Sequence, residues 1–385
     1  MKPSLFALLT LSTATLYAQQ SPRIPAGVTA HRDLAYVENG HERQKLDLYV
    51  PEKAEKPLPL IIWIHGGGWQ NGSKDGCPPL RNGYVERGYA VASINYRLSS
   101  HAVFPAQIED CKAAIRYLRA HAREYSLDPE RFGVWGSSAG GHLVALVGTS
   151  GEAREFEVGP NLDQSSKVQA VCDFYGPTDF TAFVSAPGYE RHATPDSPEA
   201  KLLGGAVKDN PEKAAKVNPV TYVSADDPPF LIVHGDKDAT VPINQSELLF
   251  TALKKAGVSA HFHTIHGAGH GGPGFADKAV EEMVAKFFDQ QLKEKATSVE
   301  ALTSESTVDP AAATQQRPQA SGRRVVPWDA VLTRDDRNHD GKVSREEFSG
   351  PAPLFQRLDR DNDGVLTKEE HEAFVSAAGK AGSPQ

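Results

Sequence analysis

Trp135-Gly136-Ser137-Ser138-Ala139-Gly140-Gly141-His142 is the stretch that decides the fold. Residues 136–140 read G-x-S-x-G, between an apolar run that ends at Trp135 and a run of small and apolar residues, 141–146, that suits a helix. A serine there sits on a tight strand-to-helix turn with its hydroxyl exposed. A serine hydroxyl is a poor nucleophile at neutral pH, so the turn needs a base, an orienting acid and an oxyanion site from elsewhere in the chain.

Candidates for all three follow apolar runs. Upstream, residues 60–64 lead into His65-Gly66-Gly67-Gly68-Trp69, about 70 residues before Ser138, and such a loop lets the Gly67 and Gly68 amides join the Ala139 amide around a developing oxyanion. Downstream, residues 230–233 lead into His234-Gly235-Asp236-Lys237-Asp238. An acid on a loop past a strand end can reach the base and hold its tautomer. Asp236 and Asp238 both qualify; Asp236 is close enough to the strand end to cap the turn, so Asp238 is preferred. The base is His270, flanked by glycines in Gly267-Ala268-Gly269-His270-Gly271-Gly272, whereas His261 and His263 alternate within a strand and His266 ends it. The order Ser, Asp, His, each after its own strand, lifts His270 above an ordinary loop histidine.

Short β-type runs at 45–50, 58–64, 90–94, 132–135, 168–174, 230–233 and 260–265 alternate with helical patterns at 106–125, 244–256 and 276–292. Several runs are continuously apolar, as parallel strands covered on both faces require. The fold class is α/β, a doubly wound, mostly parallel sheet with an antiparallel start, over residues 28–293. Residues 176–227 are too long and too rich in proline and glycine for an ordinary crossover, and are expected to cap the site.

This first domain resembles an α/β-hydrolase of the esterase and lipase superfamily. Within it, His65-Gly66-Gly67-Gly68-Trp69, Ser93-Ile94-Asn95-Tyr96-Arg97-Leu98-Ser99, Phe104-Pro105-Ala106-Gln107, the nucleophile stretch and Asp173-Phe174-Tyr175-Gly176-Pro177-Thr178-Asp179 are similar to the bifunctional feruloyl and acetyl-xylan esterase group. The resemblance implies Ser138 as nucleophile, Asp238 as acid, His270 as base, Gly67, Gly68 and Ala139 as oxyanion donors, and acyl esters of plant polysaccharides or related small esters as substrates. Catalysis of this kind needs no cofactor. Trp69 and Tyr96 are read either as an acyl or sugar platform or as ordinary packing; Arg97 and Asp110 are read as structural.

Residues 294–324 turn to Ser, Thr, Ala, Gln and Pro and cannot bury a core, so a disordered linker is expected. Beyond it, residues 336–347 and 359–370 each fit D-x-[DN]-x-[DN]-G-x5-E. Asp336, Asn338, Asp340 and Glu347 offer side-chain oxygens in the first loop, Asp359, Asp361, Asp363 and Glu370 in the second, and Lys342 and Val365 stand where a backbone carbonyl ligates. Hard oxygen ligands in this spacing suit Ca2+. Residues 325–377 thus resemble an EF-hand pair holding structural calcium, with a dockerin-like module for a scaffold protein partner as the other reading. From Val325 onward, 12 acidic residues face 8 basic ones, a net of −4, too small an excess to explain the spacing twice.

The net charge of −8 over 385 residues speaks against a nucleic-acid partner, and no apolar run is long enough to span a bilayer. Met1-Lys2, the apolar segment 5–16 and Tyr17-Ala18 read as an export signal over residues 1–18, placing the protein outside the cell or in a periplasm. Three cysteines allow at most one disulfide, and Cys111 on the apolar stripe of a helix and Cys172 in a strand-like run suit buried, inert thiols. The competing readings are a serine peptidase or aryl-formamidase on the same fold, and a calcium-dependent binding protein with a vestigial hydrolase domain.

Overall fold

The computed structural model describes residues 24–294 and, further on, residues 328, 332, 336, 340–345, 347, 348, 355, 358–361 and 363–371. The expected export signal 1–18 lies outside the described residues, as do residues 295–324 of the expected linker. The chain divides into two compact units, Met1–Glu305 and Ser306–Gln385.

Among the described residues of the first unit, eight strands form one sheet: β1 (Val28–Ala35), β2 (Lys45–Pro51), β3 (Leu58–Ile64), β4 (Ala90–Ile94), β5 (Leu127–Ser137), β6 (Ala170–Phe174), β7 (Phe230–Gly235) and β8 (Ala260–Ile265). Their order is β1-β2-β4-β3-β5-β6-β7-β8. β2 runs antiparallel to both neighbours, and every pairing from β4 to β8 is parallel. This is the α/β-hydrolase sheet. All seven expected strands are present, and β1 is an addition. It carries His31, Arg32 and Asp33 and slips register between His31 and Leu34, so as an edge strand it shows neither an apolar run nor clean alternation.

The helices of this unit are α1 (Pro78–Arg81), α2 (Ala106–Ala120), α3 (Ala139–Thr149), α4 (Phe180–Val184), α5 (Pro198–Leu203), α6 (Pro211–Val217), α7 (Asn244–Lys255) and α8 (Lys278–Phe288). β3 shows why the sheet is covered twice. Leu60, Ile62 and Ile64 point into a core shared with Ile108 and Leu118 of α2, Leu143 of α3 and Leu249 of α7. Ile61 and Trp63 point the other way, to Leu80 of α1 and Val284 and Phe288 of α8. Each such side chain stabilises by about 1.5–3 kcal/mol on leaving water. The strand therefore cannot slip by one residue without exchanging its two faces.

α2 stops at Ala120, short of the expected 125, where the His121 amide bonds back to Tyr117 O at 3.1 Å and closes the turn. α8 continues as one π-helical turn, Asp289–Lys293. Arg97 grips Asp110 with Nη2 at 2.7 Å and Nε at 2.9 Å, a fork that pins the chain after β4 to α2. Cys77, Cys111 and Cys172 are free, buried thiols, and burial pushes Cys77 up to about 12 and the others well above their ordinary value. No helix among the described residues is long and apolar enough to cross a membrane.

In the second unit β9 (Val343–Ser344) pairs antiparallel with β10 (Val365–Leu366). Val343 and Leu366 are buried there with Trp328, Phe355 and Leu358. Most residues flanking the two acidic loops lie outside the described residues.

Candidate active site

β5 passes to α3 through Ser138, held at φ 56°. A non-glycine residue there costs of order 1–3 kcal/mol, offset in part by the Ser138 amide donating to Phe174 O at 2.8 Å. The turn is tight enough that a Cβ on Gly140 would lie 2.1 Å from Ile64 O, so only glycine fits. Ser138 Oγ lies 2.8 Å from His270 Nε2, and His270 Nδ1 lies 2.7 Å from Asp238 Oδ2. An ionised carboxylate only accepts, so Nδ1 carries the proton and Nε2 is left to take one from Ser138. The Tyr175 ring stands edge-on to His270 at 4.7 Å.

Asp238 meets this histidine and Asp236 does not. Asp236 accepts from His266 Nδ1 at 3.0 Å and from the Gly267 amide at 2.7 Å, which makes it the clasp of the loop that carries His270. Asp238 Oδ1 accepts from the Thr240 and Val241 amides at 2.7 and 2.9 Å, and His234 Nε2 lies 3.3 Å from Oδ2. Burial opposes its charge, yet the hydrogen bonds from His234, His270 and Val241 hold it well below the usual carboxylate range.

The glycine loop runs hard against the nucleophile turn. A Cβ on Gly66 would fall 2.6 Å from Ser137 O and 3.3 Å from Ser138 Cβ. Gly67 O closes a turn by accepting from the Gln70 and Asn71 amides at 3.1 and 3.0 Å. Ala139 opens α3, where the helix dipole favours negative charge. His65 donates from Nδ1 to Gly66 O at 2.7 Å and accepts Arg43 Nη2 on Nε2 at 3.1 Å. Burial and the Arg43 charge push its pKa down to about 4, which keeps it neutral. Tyr96 stacks beneath His65 at 4.4 Å and donates to its carbonyl at 2.9 Å.

Trp69 and Tyr96 offer no platform. They are 2% and 0% exposed, Trp69 against His142 and Phe180 and Tyr96 under His65, and packing is their role. The segment expected as a cap contains α4, α5 and α6 and touches both sides of the site. The Tyr189 hydroxyl donates to Asp238 O, Arg191 donates to Ala239 O, and Pro198 Cβ lies 3.4 Å from where a Gly68 Cβ would stand.

Three contributors had no role assigned from the sequence. Arg43 comes from the turn between β1 and β2, far from any motif. Tyr175 and His234 stand inside quoted motifs, yet only the fold brings them to His270 and Asp238.

In the second unit, Gly341 and Gly364 take φ 80° and 84° at the sixth positions of the two loops. The amides of Lys342 and Val365 donate to Asp340 Oδ1 and Asp363 Oδ1 at 2.9 and 2.8 Å. Asp336 accepts the Gly341 amide at 2.9 Å. Glu347 and Glu370 bond back to the Ser344 and Thr367 amides, each at 3.0 Å. Asn338 lies outside the described residues. One ligand oxygen each from Asp359, Asp361 and Asp363 lie within 4.8 Å of one another, and the buried Asp359 Oδ1 has no hydrogen-bond partner among the described residues. Three carboxylates held so close repel unless a cation joins them, so the donor set fits Ca2+.

Residues 46–253, more than half the chain, match the BD-FAE family. The chain belongs to the BD-FAE family. Residues 209–323 also match TAP-like proteins, and residues 336–349 and 352–375 match the EF hand. Esterase LipQ of Mycobacterium tuberculosis is 33% identical over 245 residues, 63% of this chain and 55% of that protein. The chain spans about half the length of the curated relatives it matches. Among solved structures, a truncated carbohydrate esterase from gut microbiota superposes with TM-score 0.64 at 33% identity, covering 69% of this chain and 97% of that one. A bifunctional GH43-CE protein of Bacteroides eggerthii superposes with TM-score 0.64 at 34% identity, covering 68% of this chain and 35% of that one. As a BD-FAE member with esterases as relatives, the chain carries a carboxylic ester hydrolase domain in its first unit.

Proposed function

We propose that this protein is an exported serine esterase that removes acetyl or feruloyl groups from plant-type polysaccharides or related small esters. The observation that carries this reading is the hydrogen-bonded line from Ser138 Oγ through His270 to Asp238 Oδ2. In this reading Ser138 attacks the ester carbonyl while His270 Nε2 takes the hydroxyl proton, and Asp238 stabilises the imidazolium. The Gly67, Gly68 and Ala139 amides hold the oxyanion. The tetrahedral intermediate collapses, the C–O bond to the alcohol breaks, and His270 returns its proton to the leaving oxygen. His270 then takes a proton from water as the water oxygen attacks the acyl carbonyl, and returns it to Ser138 Oγ as the C–Oγ bond breaks, releasing the carboxylic acid.

A carbohydrate-borne ester is supported by two things. One solved neighbour covered almost in full is a carbohydrate esterase. The site is also open, with Gly67 exposed and the His270 side chain 23% exposed, so an ester on a polymer has room to approach. The apolar segment 5–16 supports export, and the acidic loops support structural Ca2+ in the second unit, with no metal taking part in ester cleavage.

The experiment is acetate and ferulate release from acetylated arabinoxylan, beside Ser138→Ala and with p-nitrophenyl acetate as control. Release lost in the variant establishes the polysaccharide reading; Ser138-dependent cleavage of the small ester alone moves the substrate to soluble esters. Inactivity on both overturns the proposal.

A further inference from the structure

His234 closes β7 on the turn that carries Asp238, and it is fully buried. A buried imidazole needs partners for both nitrogens. Nε2 lies 3.0 Å from Val241 O and 3.3 Å from Asp238 Oδ2, and Nδ1 lies 2.7 Å from Ser246 Oγ on α7. A carbonyl and an ionised carboxylate only accept, so Nε2 carries the proton. In the neutral ring, Nδ1 is then the acceptor and the Ser246 hydroxyl donates to it. The tautomer of His234 is thus set by the loop 238–241, and Ser246 of α7 completes the ring's hydrogen bonds.

We infer that His234 is a positioning residue for the catalytic acid: its Nε2–H shares Asp238 Oδ2 with His270 Nδ1–H, fixing the rotation of the carboxylate and dividing its charge between two imidazoles. The inference rests on the reading of Ser138, His270 and Asp238 as a triad. Asp238 Oδ1 is already held by the Thr240 and Val241 amides. His234 supplies the remaining restraint, from the side of Oδ2 that His270 does not occupy. The same Val241 that gives its N–H to Asp238 gives its carbonyl to His234, so the loop 238–241 and the imidazole brace each other. Other groups facing the pair are the Tyr175 ring, edge-on to both imidazoles at 4.7 and 6.3 Å, the Tyr189 hydroxyl on Asp238 O, and the buried carboxyl of Asp173, whose field His234 shares.

A donor on Oδ2 withdraws charge from the oxygen that holds His270. Without it, the carboxylate binds the His270 imidazolium more strongly, so the acid limb of kcat/KM moves to higher pH; a less constrained Oδ2 also lowers kcat.

The test uses His234→Leu, which keeps volume and loses the donor, and His234→Gln, whose amide N–H replaces Nε2–H, in the full chain with p-nitrophenyl acetate. His234→Leu is expected to lose about 10- to 100-fold in kcat, the rate equivalent of one hydrogen bond to a charged group. KM should change little, the acid limb should rise, and His234→Gln should recover most of both. A wild-type limb in His234→Leu, or equal losses in both variants with an unmoved limb, overturns the inference. If His234→Leu does not fold, Ser246→Ala decides, because it keeps Nε2–H but removes the hydroxyl that anchors the ring at Nδ1 and so loosens the donor on Oδ2; its limb should rise by less, and an unmoved limb overturns the inference. Ser138→Ala is run alongside. Turnover that survives it removes the triad reading itself, an outcome distinct from a failure confined to His234.

Discussion

Arg43 Nη2 donates to His65 Nε2 at 3.1 Å and to Gly72 O at 2.9 Å, while its Nε donates to Tyr96 O at 2.8 Å. One guanidinium from the turn between β1 and β2 thus holds both ends of the glycine loop that faces Ser138. Lysine cannot reproduce the fork. Arg43→Lys should destabilise the loop by about 1.5–3 kcal/mol and lower kcat on p-nitrophenyl acetate more than it raises KM. An unchanged kcat would show that the loop holds its shape without Arg43.

The two acids of the loop after β7 should separate cleanly. Asp238→Asn leaves the geometry but permits the wrong His270 tautomer, and kcat should fall by about 10⁴-fold. Asp236→Asn keeps an acceptor for the Gly267 amide, and its new N–H can meet the other tautomer of the exposed His266, so its kcat should stay near wild type. The reverse ranking in kcat would make Asp236 the catalytic acid.

Gly66→Ala puts a methyl 2.6 Å from Ser137 O, backbone that cannot step aside without moving the nucleophile turn. A displaced oxyanion loop should cost about 10²–10³-fold in kcat. Labelling of Ser138 by a fluorophosphonate should slow in parallel, and a variant that labels and turns over normally would show the approach to be slack.

Buried His142 donates to Val217 O at 2.8 Å, and burial pushes it down to about 4 from 6.5. The unfolded chain therefore binds the proton first, so stability from this group is full above 6.5 and is lost as pH falls toward about 4. The loss is up to about 3 kcal/mol. His142→Gln keeps a donor and cannot titrate, so its thermal midpoint should fall less than wild type over that window.

Asp173 runs with the opposite sign. Burial raises it from 3.8 to about 6, so the folded state binds the proton more tightly and stability falls as pH rises between those values. Asp173→Asn removes the buried charge, and its midpoint relative to wild type should be higher at about pH 8 than at about pH 5. Equal differences at both pH values would mean that burial does not raise Asp173 above its value in the unfolded chain.

Calcium should act on the second unit alone. Adding Ca2+ should raise the midpoint of one thermal transition, and Glu370→Gln should remove most of that rise, since a twelfth-position carboxylate normally binds the ion through both oxygens. Chelation should leave ester turnover unchanged; a turnover that follows Ca2+ would join the two units functionally.

The parallel strands were legible because each is buried on both faces and reads as an apolar run, and the nucleophile turn because glycine is forced where backbones nearly touch. Gly140 against Ile64 O is such a contact, and it leaves a mark in the sequence. β1 was not legible, since an edge strand with a register slip carries neither mark. Trp69 marks the limit of local reading: an aromatic beside a reactive loop reads as a platform or as packing, and the fold decides for packing against His142 and Phe180.

By itself the sequence determined the fold class, the order of serine, acid and histidine, and the spacing of the acidic loops, because each depends on residues close along the chain. Tertiary structure alone decided that Asp238 and not Asp236 meets His270, that Arg43 braces the glycine loop, and that His234 shares the carboxylate with His270. Those are contacts between the ends of different strands, set to tenths of an ångström by how the sheet twists and packs, and no local pattern encodes such distances.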